Sequence, residues 1–173
     1  PTPDGRRAAT LQSLSATLII ALLAQGLLMT KHDDGDTKTL FYQLHVTMGY
    51  FVLILAVIRV VWMWRDARPG ALEMPRSEYL LFKAVHILLI VGSIVAALSG
   101  ILMLLGSGIT PIATEVTSDA VDRSLPVRNA HFLFAAGLIV LLIAHVGGVV
   151  LYQRRSGKTL QRMRIGRAAS NDV

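Results

Sequence analysis

The chain has 173 residues and a mean hydropathy of +0.56; 53% of the residues are apolar and 16% charged, which is too apolar for a water-soluble domain of this length. The net charge is +6 and no cysteine is present, so disulfides, iron–sulfur clusters and covalent c-type haem attachment are excluded. A chain of this size is expected to form one domain, residues 1–173.

Apolar stretches follow one another at about 11–30, 40–64, 79–105 and 129–152. Each is long enough to cross a hydrocarbon layer about 30 Å thick at about 1.5 Å rise per residue. In lipid a helix satisfies its own backbone, so the predicted fold is all-α, an integral membrane up-and-down four-helix bundle. The second stretch carries His45, about 5 residues from its start, and Arg59, fourteen residues later and hence on the same face. Trp62 and Trp64 read as an interfacial anchor at its far end. The third carries Lys83, placed to snorkel to the headgroups, and His86, about 7 residues in. The connection at 106–126, GSGITPIATEVTSDAVDRSLP, is the longest, and a short amphipathic helix is expected from Ile112 onward. The fourth stretch holds His131 and His145.

Basic residues set the expected orientation. With both termini in the cytoplasm, the inner segments hold Arg6, Arg7, Arg65, Arg68, Arg76, Arg154, Arg155, Lys158, Arg162, Arg164 and Arg167. The outer connections hold Lys31, Lys38, Arg123 and Arg128, so eleven cations against four predict N-in and C-in. The basic tail, 153–173, is suited to anionic lipid headgroups. No soluble binding module accompanies it, so nucleic acid is not an expected partner.

Two histidines fourteen residues apart on one helix lie about 21 Å apart along its axis. Fourteen steps of about 100° fall about 40° short of four turns, so both rings leave one face. His45 lies near the depth of His131, and His86 near the depth of His145. Ionisable side chains within lipid are costly and mark sites. The pairs lie too far apart to offer one zinc ion three or four ligands. A proton-coupled transporter would need membrane-embedded carboxylates, and none lies clearly within the spans. Bis-histidine haem, one per leaflet, accounts best for two depth-matched pairs. Arg59 is placed to clamp the propionates of an inner haem, or equally to snorkel. Gly49, Gly92, Gly137, Gly147 and Gly148 would admit either a flat macrocycle or a neighbouring helix. His32, in KHDDGDTK, is expected to be solvated.

The segments LFYQLHVTMGYFVLILAVIRVVW, FKAVHILLIVGSIVAALSGILML and AHFLFAAGLIVLLIAH, with TLQRM after them, resemble the bacterial cytochrome b561 family. These four-helix dihaem membrane cytochromes are related to the cytochrome b subunits of formate dehydrogenases and nickel–iron hydrogenases. The resemblance runs from about Leu11 to Met163. It implies that His45 and His131 bind an outer haem b and that His145 binds an inner one. It also implies a quinone site near the inner haem, a periplasmic electron donor, and residence in the bacterial inner membrane.

One departure stands out. The family's first-helix histidine, partner of the last one, is missing: the region reads LQSLSATLII, with Ser15, Ala16 and Thr17 at its place and Gln12 nearby. Either His86 takes over as partner of His145, or the inner haem is five-coordinate, or it is absent, so the expected cofactor is haem b in two copies or one.

The expected function is a b-type cytochrome carrying electrons across the bilayer between a periplasmic donor or partner protein and the quinone pool. Two alternatives from other classes are a stand-alone superoxide:quinone oxidoreductase and a haem-depleted subunit of a larger respiratory or photosynthetic complex. Asp33, Asp34, Asp36, Glu115, Asp119 and Asp122 make the outer face mildly acidic, which suits a basic partner better than an anion such as superoxide. No nucleophile or general base points to covalent catalysis.

Overall fold

The computed structural model describes residues 3–65 and 75–156. Long helices account for most of them: α1 (Pro3–Met29), α2 (Asp36–Arg65), α3 (Arg76–Gly106) and α4 (Pro126–Ser156). No strand occurs among the described residues. All four helices are long and apolar enough to span a membrane, as the hydropathy pattern predicts. Each extends beyond its apolar stretch, because helix continues into the headgroup zone where polar side chains are tolerated. Large apolar side chains such as Leu81, Leu133 and Ile143 stand about two-thirds exposed on the outer surface of the bundle, as lipid contact requires.

Local chemistry fixes the helix ends. Pro126 opens α4, where its preset φ helps and its missing N–H is not needed. Asp33, Asp34 and Asp36 gather at the positive end of α2, and Arg154 and Arg155 at the negative end of α4. Helix α3 stops at a glycine in the left-handed region, Gly108, φ 73°. The Gly108 N–H donates to Leu105 O and the Ile109 N–H to Leu104 O, and Leu104 and Ile109 pack together in one cluster.

Helix α1 packs on α2, α2 on α3, and α3 most extensively on α4. Backbone contact between α1 and α4 is sparse, and side chains of both line the cavities inside the bundle. At one end, the loop face, lie the α1–α2 and α3–α4 connections. At the other, the terminal face, Arg155 on α4 pairs with Glu78 on α3 at 3.3 Å.

The α3–α4 connection departs from expectation. Instead of an amphipathic helix from Ile112, only a three-residue 3-10 turn forms, Ala113–Glu115. Its Ser and Asp side chains bond to backbone and so compete with helix. Ser118 Oγ accepts from the Gly35 N–H at 3.0 Å, and the Ser118 N–H donates to Thr39 Oγ1 at 3.0 Å. Asp122 takes the Ser124 N–H at 2.8 Å. Val116 and Ser118 are the most deeply buried side chains described, and Val116 and Val121 join Leu104 and Ile109 in a core against Tyr42 and Val46. The connection is a packed cap rather than a loose loop. Arg68 and the basic residues Lys158, Arg162, Arg164 and Arg167 lie outside the described residues.

Candidate haem site

Near the loop face, His45 on α2 and His131 on α4 turn their rings toward each other, with centroids 6.1 Å apart and planes at 74°. Two imidazoles sharing one iron need about 2 Å per metal–nitrogen bond plus about 1 Å from each nitrogen to its ring centre, or about 6 Å in all. The gap matches. It opens on a cavity of about 430 Å³ lined by all four helices, within the range of about 300–1,000 Å³ typical of cofactor sites.

The His131 ring is held in one tautomer. Its Nδ1 lies 3.0 Å from Ala96 O and 3.0 Å from Ser99 Oγ. A carbonyl can only accept, so Nδ1 carries the proton and Nε2 keeps its lone pair for a metal. His45 Nδ1 is buried with no protein partner. Both rings lie against bare backbone: a Cβ on Gly100 would stand 3.3 Å from His131 Cε1, and one on Gly26 3.2 Å from His45 Cε1. The sequence reading missed both glycines. For Gly100 a signal existed, since Gly92, Ala96 and Gly100 recur every four residues along the face of α3 that meets α4. Of the glycines it did single out, Gly49 lines the cavity, Gly92 packs on Leu138, and a side chain added at Gly137, Gly147 or Gly148 would point into open space.

Cations also line this cavity, and the sequence reading gave them no role in a site. Lys38, Arg123 and Arg128 line it. Lys38 and Arg128 lie seven and three residues before His45 and His131, hence one or two turns outward on the same faces. Lys38 pairs with Asp34 at 3.2 Å, Arg123 bonds the same carboxylate, and the Arg128 guanidinium sits 4.9 Å from the centre of the Phe132 ring. The hydrogen bond from Arg123 holds the Asp34 carboxyl below the usual carboxylate range.

Toward the terminal face the second predicted pair also meets, but differently. His86 on α3 and His145 on α4 have centroids only 4.5 Å apart, nearly perpendicular at 86°. Phe82 lies 4.3 Å from the first ring and 5.8 Å from the second. His86 Nδ1 donates to Phe82 O at 3.0 Å, and His86 Nε2 accepts from the Gln12 amide at 3.2 Å. Arg59 donates to Gln12 Oε1 at 2.8 Å. The adjoining cavity is about 40 Å³, room for about three waters. Ser15, at the place of the missing first-helix ligand, is buried and bonds its own helix at Leu11 O, 2.7 Å. As arranged, this cluster does not fit a macrocycle. His32, in the α1–α2 connection, is exposed and stacks on Phe41.

The pairs are pairs and no more: among the described residues no group of three or more His, Cys, Asp or Glu side chains could hold a bare metal ion. The family model for prokaryotic cytochrome b561 matches residues 13–166, a span that includes all four membrane histidines and Arg59. The chain belongs to the prokaryotic cytochrome b561 family. No curated protein matches it significantly, and neither does any solved structure. As a member of the family it is a multi-pass inner-membrane b-type cytochrome of electron transfer, in contact with lipid, and it binds haem b. In this cytochrome, the loop-face pair has the spacing, the free nitrogen and the room that the group needs.

Proposed function

We propose that this cytochrome holds haem b between His45 and His131 and carries electrons between a donor protein at the periplasmic face and the membrane quinone pool. The observation that carries the reading is the 6.1 Å separation of two facing imidazoles across an open cavity. The haem supplies one-electron redox chemistry; the chain supplies ligands, orientation and surroundings. His131 is aimed by Ala96 and Ser99, while Gly26 and Gly100 allow both rings to seat against helix backbone. Lys38 and Arg128 are suited to take the two propionates as charge-assisted partners. The cap formed by 107–125 shields the loop face from bulk water, with Gln43 bonded to Val116 O at 3.2 Å and the Tyr50 hydroxyl bonded to Pro111 O.

Eleven inner cations against four outer ones favour a periplasmic loop face. Asp33, Asp36, Glu115, Asp119 and Asp122 there favour a donor with a basic docking surface. Purified protein should show a reduced-minus-oxidised b-type spectrum that His45→Ala and His131→Ala each abolish. A spectrum that survives both substitutions refutes the ligand assignment.

A further inference from the structure

We propose that this chain binds haem at the loop-face site alone, and that Gln12, Arg59 and His86 have converted the terminal-face site into a closed hydrogen-bonded lock. The proposal rests on the reading of His45 and His131 as ligands, and three independent observations carry it.

The first is spacing. A shared iron holds two imidazole centres about 6 Å apart, whereas His86 and His145 stand at 4.5 Å, edge to face, with no plane between them.

The second is bonding. Arg59 donates to Gln12, Gln12 donates to His86 Nε2, and His86 Nδ1 donates to Phe82 O, so the relay runs in one direction, each step a donor facing an acceptor. The lone pair that iron would need is already used. Breaking the relay to free it would strand part-buried polar groups in a membrane interior.

The third is volume. Against about 430 Å³ at the loop face, the terminal face offers about 40 Å³. Phe82 fills the space beside both rings. His145 Nδ1 stays without a protein partner, a need that one water in the small cavity can meet.

Arg59 thereby acquires a use other than clamping a propionate: it anchors the amide that occupies His86. The terminal half then carries no redox centre. Donor and acceptor exchange electrons with the same loop-face centre, rather than at opposite ends of a two-centre wire.

The test is haem per chain in full-length, detergent-purified protein, with helicity followed by circular dichroism. The wild type should hold one haem, His86→Leu and His145→Leu should each still hold one, and His131→Ala should hold none. Two haems in the wild type, loss of haem in His86→Leu or His145→Leu with helicity intact, or one haem surviving in His131→Ala would overturn the proposal. No haem in the wild type would instead remove the ligand assignment beneath it.

Discussion

The two halves of this bundle are built from the same parts and end differently. Each has one histidine from α4 and one from another helix, at matched depth, with α1 alongside. At the loop face α1 presents Gly26, and His45 lies in the space where a side chain would be. At the terminal face α1 presents Gln12, whose amide reaches His86 and is braced by Arg59. On the proposed assignment, depth-matched histidines do not by themselves make a haem site. What the first helix places beside them decides whether the rings stand apart or close together.

The comparison can be broken by giving the loop face a terminal-face feature. Gly26→Leu puts bulk where His45 Cε1 already sits 3.2 Å from a notional Cβ. Displacing an imidazole that must meet iron within tenths of an ångström should lower haem occupancy more than tenfold, read as haem per chain; unchanged occupancy would show that the glycine is not a cradle. Gly100→Ala is gentler, since its Cβ would meet His131 Cε1 at 3.3 Å and the ring must shift slightly. Partial haem loss, or a shifted midpoint potential with haem retained, is the expected outcome. Ser99→Ala removes one of two acceptors at His131 Nδ1 and leaves Ala96 O in place. Loss of a partner behind a metal-bound histidine lowers affinity by about 10–100-fold, and with the carbonyl remaining the effect should sit at the lower end, in a haem titration.

The smallest effect is expected at the cap. Asp34 is held below its usual range by Arg123, so its ion pairs are fully present above the ordinary carboxylate value and fade as pH falls through the lowered one. Asp34→Asn should cause a small drop in melting temperature at neutral pH that vanishes in strong acid and shrinks in high salt. A drop that persists at low pH would point to shape rather than charge.

The sequence made the bundle legible because hydropathy over 20 or more residues has few alternatives in lipid. It made the two histidine pairs legible because His131 and His145, 14 residues apart, leave nearly the same face, and His45 and His86 fall at matching depths on other helices. Lys38 and Arg128 were legible by the same rule and were read only as topology signals. The rest required the rotation of one helix against another. No periodicity in residues 11–30 shows that Gln12 faces His86, or that Gly26 faces His45. The cap was misread for a local reason: Ser118 and Asp122 spend their side chains on backbone groups, so Ile112 onward packs as a turn-rich core instead of a helix.

Electron paramagnetic resonance of the oxidised protein, integrated to spins per chain, tests the inequality of the two halves most directly. Axial imidazoles at 74° should give a single, highly anisotropic low-spin ferric signal, at one spin per chain. A second low-spin species of equal weight, or a high-spin ferric signal from a five-coordinate iron, would contradict the account.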